Sequence, residues 1–579
     1  MLAKEMQKPK NINDAQWRCV CHKAGHLLIL AGPGTGKTHT LTRRIFHLIS
    51  QLRPQQKILA ITFTNKAAQQ MAERIDALSS DGRKSVTVGT FHSFCLSLLR
   101  EYHRFTSLPE RFRVSSAEEI EQLLKKAWGL PSRDLNPVLE EISRWKSFFT
   151  RQTKPARLKE YNEILRSHGL VDFDDLINEA LILLSNSEKV ARQVRQTFRY
   201  VCVDEYQDLN AIQHAFLKEL IKDGAILTAI GDPNQAIYGF RGSDPKYFFQ
   251  FENDFPDSTM IMLRENYRST ENILSASGQV ISVSADQTSR LDAIAQLNRQ
   301  GRLVVHESPT DRSEAEFIVS QIEQLIGGTS MFSRDSKRVK MDEAPLSVGF
   351  SDIAVIYRLH TQRHALIEAL ERSGIPYQVC AQKSVQLAPE VINSLLVFAK
   401  GVCATPVEII QNFAASPTGQ SLIQANTLLM QQWALIERFA GGMASIEELI
   451  DQLALQKPED YFDFQVEKVS LMTIHASKGL EFSAIFMAGC EEGLLPLNIS
   501  GMTSDVQEER RLFYVGMTRA KEYLCLTRAL KRSMHGQTLS NLASRFISDI
   551  QDELKTYERL QPKSRRDQEK KDDRQMTLF

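Results

Sequence analysis

No apolar run in the chain reaches the roughly 20 residues a bilayer-crossing helix requires, so a helical membrane span is excluded. An excess of one charge is also lacking. Lys and Arg number 71 against 70 Asp and Glu, a formal net charge of +1. That excludes a uniformly basic coat, but a neutral whole can still carry a basic cleft for nucleic acid. Cysteine is scarce, with eight scattered through 579 residues. A secreted disulfide framework is therefore excluded, and reduced thiols in the cytoplasm are expected. Cys19, Cys21, His22 and His26 sit close together, yet no second Cys pair follows at zinc-site spacing. The opening MLAKEMQKPKNINDAQ has no apolar stretch of the signal-peptide kind. Repeats with a period of roughly 20 to 50 residues are absent. What is present is an ordinary globular balance, 42% hydrophobic and 24% charged, in a chain long enough for about four domains.

Short β-like runs alternate with helical patterns. HLLILA (26–31), KILAITF (57–63), YVCVDE (200–205) and ILTAIGD (226–232) read as buried parallel strands, each followed by a polar turn and a helix. LVVHES (303–308), DIAVIYR (352–358), KVSLMTIHA (468–476) and AIFMAGC (484–490) form a second set. The pattern predicts an α/β protein with two tandem parallel-sheet units. Helix-rich stretches at about 94–199 and 381–464 read as an insertion into each unit. Residues 327–350 read as a surface excursion, and the mixed-charge stretch from Glu558 onward as a disordered tail.

AGPGTGKT (31–38) stands between a strand and a helix and reads as a phosphate loop. Gly32, Gly34 and Gly36 let backbone N–H groups approach phosphate oxygens, and the following helix dipole favours negative charge there. Lys37 is expected on the β and γ phosphates and Thr38 on Mg²⁺. In VDEYQD (203–208), Asp204 is the expected Mg²⁺ partner, and Glu205 the base that orients and deprotonates the attacking water. In GDPNQAIYGFRG (231–242), Gln235 is placed to sense the γ-phosphate or that water. A ligand-free glycine turn or an acidic surface strand end are the plainer readings. The strand–loop–helix context weighs against both.

These strings occur in a longer ordered series: NINDAQ (11–16), TFTNKAA (62–68), GTFHSF (89–94), DFDDL (172–176), LRENYRS (263–269), LMTIHASKGLEF (471–482) and EERRLFYVGMTRAK (508–521). With them the chain resembles superfamily 1A DNA helicases of the UvrD/Rep/PcrA type over nearly its whole length. The resemblance implies two RecA-like phosphate-loop domains, each with a helical insertion. The first would comprise 1–93 and 200–264 with insertion 94–199. The second would comprise 265–380 and 465–555 with a reduced insertion 381–464, followed by a tail at 556–579. It further implies Gln16 reading adenine, Thr35 in the nucleotide-binding loop, Tyr267 stacked on the base and Glu481 on the ribose. Arg268 and Arg519 would be arginine fingers on the γ-phosphate, so that ATP bridges the two units and hydrolysis weakens the bridge.

Phe63, Tyr238 and Phe240 lie just after the strand ends that carry the nucleotide motifs. Bases of a single strand can stack on such faces without sequence preference. Thr62, Asn65, Thr90, His92, Arg241, Thr473 and His475 offer donors for backbone phosphates. Core packing is the plainer reading for any one of these aromatics. Phe240 stands where the family often has Trp, Leu495 and Leu497 where it usually has Phe and His, His39 where an Arg is frequent, and Ala31 where the loop usually opens on Gly.

The resemblance implies an ATP- and Mg²⁺-dependent 3′→5′ single-strand translocase and helicase in DNA repair or replication. Its partners would be single-stranded and tailed duplex DNA. Two alternatives are a helicase subunit of a recombination helicase–nuclease and a clamp-bound adaptor with a degenerate ATPase. The chain's last hundred residues show no nuclease-like acidic cluster, and the intact motif residues argue against degeneracy. The final QMTLF resembles the peptide by which bacterial proteins dock on the sliding clamp, with Gln575, Leu578 and Phe579 filling its pocket.

Overall fold

A computed structural model of the chain describes residues 7–78, 82–148, 154–283, 293–297, 299, 301–327, 348–380, 387–456, 460, 462–463, 466–499, 502–534 and 536–559. The chain divides into two units. One comprises Met1–Gly32, Gly36–Leu263 and Ala381–Phe462; the other comprises Pro33–Thr35, Arg264–Cys380 and Asp463–Phe579. Among the described residues no helix is long and apolar enough to cross a membrane.

The first unit is built on a six-stranded sheet. Its strands are β1 (Leu27–Ala31), β2 (Lys57–Thr62), β3 (Val86–Thr90), β4 (Phe198–Val203), β5 (Ile226–Gly231) and β6 (Thr259–Leu263), in the order β3-β2-β4-β5-β1-β6. Every pairing is parallel; Leu28, for example, faces Ala229 on one side and Met260 on the other. All five residues of β1 are buried, because helices cover both faces of a parallel sheet. That is why the strand reads as an unbroken apolar run rather than an alternating one. Each such Leu or Ile withdrawn from water contributes about 1.5–3 kcal/mol. Parallel strands all end on the same edge, so the loops after β1, β4 and β5 are brought together there. The helices that leave this edge are α2 (Lys37–Ile49), α3 (Asn65–Leu78) and α4 (Phe91–Glu101), while α1 (Asp14–Cys21) precedes β1.

Among the described residues from Phe94 to Thr197 the regular structure is helical apart from two-residue strands at Arg113–Val114 and Leu170–Val171. Within them, α5 (Ser132–Phe148) is tied to the start of α6 (Phe173–Asn186) through a buried lysine. Lys146 Nζ donates to Asp172 Oδ2 at 2.5 Å and Asp175 Oδ1 at 2.6 Å, and the Tyr161 hydroxyl donates to Asp172 at 2.8 Å. Losing one member of such a buried set strands the others' charge, typically a loss of about 3–5 kcal/mol.

The 381–462 stretch has its own core, with Leu395, Ile410, Phe413, Trp433, Ile436 and Leu449 at its centre. In chain order it interrupts the second α/β unit, as the sequence suggests, but it packs with the first. Asp451 on α7 (Ile446–Leu455) pairs with Arg100 on α4. Burial pushes the Asp451 carboxyl up to about 7 even against that arginine. Just beyond the helix, Lys66 Nζ donates to Phe462 O at 2.8 Å.

The second unit carries an eight-stranded sheet. Seven parallel strands are β7 (Arg302–Thr310), β8 (Ile353–Tyr357), β9 (Tyr377–Val379), β10 (Val469–Thr473), β11 (Phe482–Ala488), β12 (Ala520–Met534) and β13 (Thr556–Arg559), in the order β9-β10-β8-β11-β12-β7-β13. Gln537–Leu539 folds back antiparallel on β12. The tail expected from residue 556 is corrected at its start. Thr556–Arg559 pairs with Val304–Glu307 of β7, satisfying an otherwise open sheet edge. In the core, Arg532 Nη2 donates to Glu491 Oε1 at 2.6 Å and also bonds Glu314, with all three side chains under 5% exposed.

Candidate functional site

The phosphate loop closes on Gly36, whose φ of +78° is left-handed and favours glycine. A Cβ there would also lie 2.9 Å from Gln16 Nε2, so the glycine is what lets Gln16 approach the loop. Gln16 is held in place by a capping box at the start of α1. Its backbone N donates to Asn13 Oδ1 at 2.7 Å, and its Oε1 accepts from Asn13 N at 3.0 Å. Lys37, at the first position of α2, turns its Nζ back onto the carbonyls of Ala31 at 3.2 Å and Gly32 at 3.3 Å. Thr38 follows in the first turn, on the side of the exposed N–H groups. The loop thus offers a lysine ammonium, helix N–H groups and a glycine-shaped cradle, which fits a nucleotide polyphosphate.

Asp204 and Glu205 follow β4 directly. The backbone of Glu205 has a φ of +52°, a left-handed conformation that a non-glycine residue adopts at some cost. Its N–H donates to Asp204 Oδ1 at 2.9 Å, and its carboxylate accepts from Gln207 Nε2. The other end of Gln207 accepts from Asp232 N at 3.0 Å, at the end of β5. Asp232 in turn accepts from Gln235 Nε2 at 2.7 Å. Gln235, Gln207, Asp232 and Glu205 therefore form one hydrogen-bonded chain across the strand ends. Burial raises the Asp232 carboxyl above the usual range, Lys37 works against that rise, and Glu205 adds to it. Gln207 and Asp232 stood inside the motif strings without an assigned role; the structure shows them orienting Glu205 and Gln235.

The aromatic residues gather around one cavity of about 600 Å³ in the same unit. Phe63 stacks on Tyr238 with ring centroids 5.0 Å apart, and Phe240 lies 6.1 Å from Tyr238. Arg241 sits 5.5 Å from the Tyr238 centroid and 5.4 Å from that of Phe240. Phe240 is 64% exposed, which rules out core packing as its role. His92 lines the same cavity and stacks on Phe173, 3.6 Å between centroids. The opposite wall comes from α5, with Ser143, Arg144 and Ser147. Ser143 Oγ donates to Asp174 Oδ2 at 2.6 Å. Burial, then the nearby Asp172 charge, pushes the Asp174 carboxyl up to about 6. Phe173, Ser143 and Arg144 are residues that sequence reasoning left unassigned. Phe173 was visible in DFDDL; the α5 residues had no local signal.

Other expected phosphate donors are placed differently. The Thr62 hydroxyl donates to Thr64 O at 2.9 Å, and Thr90 caps α4 by accepting from Ser93 N at 3.2 Å. Asn65 Nδ2 donates to Leu455 O and Asp460 Oδ2, each at 3.0 Å, so it faces the 381–462 stretch.

In the second unit, Arg268 Nε donates to Glu481 Oε2 at 2.7 Å, and Lys521 pairs with Glu481 Oε1 at 3.0 Å. Burial tends to raise the Glu481 carboxyl, but the two cations prevail and hold it below its usual range. Arg519 is almost fully buried and donates to Val515 O at 2.9 Å, Leu480 O at 3.2 Å and Thr518 Oγ1 at 3.0 Å. Tyr267 is 44% exposed, with its hydroxyl on Glu265 at 2.5 Å. Gly34 and Thr35 group with this unit, and Tyr267 N donates to Gly34 O at 2.8 Å. Thr473 is the last residue of β10 and His475 opens the turn after it, where Thr473 Oγ1 accepts from Ala476 N at 3.2 Å. Gln575, Leu578 and Phe579 lie outside the described residues.

A phosphate loop, an acidic strand end with an oriented carboxylate, and an aromatic cavity near that strand end are the features of a phosphate-loop nucleotide-binding protein. Residues 12–256 match the UvrD/REP helicase N-terminal domain, and residues 261–399 and 419–531 match the UvrD-like helicase C-terminal domain. The chain is 31% identical to the ATP-dependent DNA helicase UvrD1 of Mycobacterium leprae, covering 95% of this chain and 86% of that one. It is 29% identical to the ATP-dependent DNA helicases PcrA of Leuconostoc citreum and Bacillus subtilis. Those alignments cover 94% of this chain and 85% and 86% of theirs. The chain belongs to the UvrD-like helicase family.

Proposed function

We propose that this chain is an ATP-dependent DNA helicase that translocates 3′→5′ along single-stranded DNA in the cytoplasm, in repair or replication. The observation that carries the reading is the shared edge of the first sheet. The glutamate–glutamine chain at the ends of β4 and β5 and the Phe63–Tyr238–Phe240–Arg241 cluster both grow from loops on that edge. Gln235 and Tyr238 are separated by only two residues of one loop, so a change at the hydrolytic end has a short covalent path to the stacking face.

In this reading Lys37 and the loop N–H groups hold the β and γ phosphates. Mg²⁺, held by Thr38 and Asp204, would neutralise phosphate charge. Glu205 takes the proton of the attacking water, and Gln207 fixes the direction in which its carboxylate points. Arg268 and Arg519 are the cations that meet developing phosphate charge, as the family resemblance implies. Bases stack on Phe240, Tyr238 and Phe63, while Arg241 and Arg144 offer charge to the backbone.

Strand displacement on 3′-tailed, 5′-tailed and blunt duplexes tests this directly. ATP-dependent displacement is expected on the 3′-tailed substrate. Preference for the 5′ tail would reverse the polarity, and inactivity on all three together with a DNA-insensitive ATPase would remove the helicase reading.

The C-terminal QMTLF supports a further part of the proposal, docking on a bacterial sliding clamp through Gln575, Leu578 and Phe579. A charged tether before it would raise local concentration at clamp-loaded DNA without fixing orientation. The double variant Leu578→Ala, Phe579→Ala should lose binding to a purified clamp and keep DNA-stimulated ATPase. Equal clamp affinity in wild type and double variant would defeat this assignment.

A further inference from the structure

The edge of the first sheet opposite the nucleotide loops holds a cavity of about 710 Å³ that the helicase motifs do not use. It is formed where β2, β4 and β5 begin, and where the helix Glu188–Thr197 runs into β4. Gln51, Arg53, Gln56, Arg192, Arg199 and Tyr200 line it, together with Glu188, Arg195, Gln196 and Asp223. Four arginines against two carboxylates leave the wall with two positive charges in excess.

The arginines are not equivalent. Arg195 is satisfied, since it donates to Glu219 Oε1 at 2.8 Å and to Asp223 Oδ2 at 2.6 Å with its side chain 5% exposed. Among the described residues Arg192 reaches only the exposed Glu188, at 3.4 Å. Arg53 and Arg199 have no carboxylate partner among the described residues. Arg199 is half-buried, with Nη1 so close to the backbone of Gly224 that a Cβ there would lie 3.1 Å away. The turn that shapes this wall has left-handed backbone at two successive residues, Asp223 at φ +56° and Gly224 at φ +96°. A non-glycine residue held in that region is a feature found at ligand clamps. Neutral polar groups complete the lining. The Tyr200 hydroxyl donates to Gln51 Oε1 at 3.3 Å, and Gln56 Oε1 accepts from Arg53 N at 3.0 Å.

We propose that this pocket, formed by Arg53, Arg192 and Arg199 at the β2–β4–β5 starts, binds a compact multiply charged phosphate compound. Guanidinium forks match phosphate oxygens bidentately, and two such forks here lack a carboxylate to compete. The cavity has the size of a small-molecule site rather than an extended groove, which favours a compact polyphosphate over a nucleic-acid strand or a peptide. It lies on the sheet edge away from the phosphate loop, so it can fill while that loop is occupied.

The test uses full-length protein saturated with a non-hydrolysable ATP analogue, so that the phosphate loop is already filled. Titration with inorganic tripolyphosphate in a calorimeter should show one further site, weakened by added salt. Arg199→Gln should bind about tenfold more weakly, since a charge-assisted contact is lost. Arg53→Gln, at an exposed position where folding is not at stake, should show a loss of the same sign. DNA-stimulated ATPase in both variants should match wild type, and the site should persist in Lys37→Ala. Absence of a second site in wild type, wild-type affinity in both arginine variants, or disappearance of the site in Lys37→Ala would each overturn the proposal. So would a polyglutamate peptide that displaces tripolyphosphate from this site at a lower concentration than tripolyphosphate itself needs to fill it.

Discussion

Glu205→Gln is expected to leave nucleotide and DNA binding intact while lowering ATP turnover by at least ~10²-fold, the usual contribution of a positioned general base. The substitution is nearly isosteric, and the amide can still bond Gln207, so the left-handed backbone at φ +52° has no reason to change. What is lost is the ability to accept the water proton. Steady-state ATPase with saturating single-stranded DNA, alongside fluorescent-nucleotide binding, separates the two effects. Near-normal turnover in the variant would show that another group takes the proton. Loss of nucleotide affinity in parallel with rate would show that Glu205 serves the loop's structure instead.

Phe240→Ala should weaken the grip on single-stranded DNA by about 1–3 kcal/mol, a factor of roughly 5 to 150, because one stacking face is lost. Unwinding should fall with it, and ATPase without DNA should change little. The ring is 64% exposed and meets Tyr238 at 6.1 Å, so its removal opens no cavity in the core. Arg241 also loses one of its two aromatic neighbours, which adds a small cation–π term to the same sign. Binding measured by fluorescence anisotropy at two salt concentrations checks the stacking contribution, since stacking persists when phosphate contacts are screened. A fall in DNA-free ATPase equal to the fall in unwinding would make Phe240 a structural residue.

The fold was legible wherever a strand is buried on both faces. LLILA of β1 is an unbroken apolar run because helices cover the sheet on either side, and β2, β4, β5, β8 and β11 carry the same signature. Strands under other conditions were not legible. β3 (VTVGT) is only partly buried and merges into the GTFHSF string, so it carries no unbroken apolar run. β6 (TMIML) lies at the sheet edge and is exposed at its first two residues. β12 runs for 15 residues, with charged residues KR at its far end and a hydrogen-bonded triad, Arg532 with Glu314 and Glu491, that no local pattern announces.

By itself the sequence determined the family of this protein and where its candidate nucleotide-site residues stand. Lys37, Thr38, Asp204, Glu205 and Gln235 stand in short strings, and a strand followed by a tight loop places such residues by local geometry alone. Only the tertiary structure decided what those residues lean on and what faces the aromatic track. Gln207 reaches Asp232 from 25 residues away, Lys146 holds α5 against α6 across 26, and Asn65 meets Asp460 across 395. The pairing of the 381–462 stretch with the first unit, and the gathering of Arg53, Arg192 and Arg199 around one cavity, belong to the same class. The physical reason is that such contacts depend on which sheet edge each segment returns to. A hydrogen bond or ion pair between distant segments leaves no periodicity in the chain, whereas burial of a strand between two layers does.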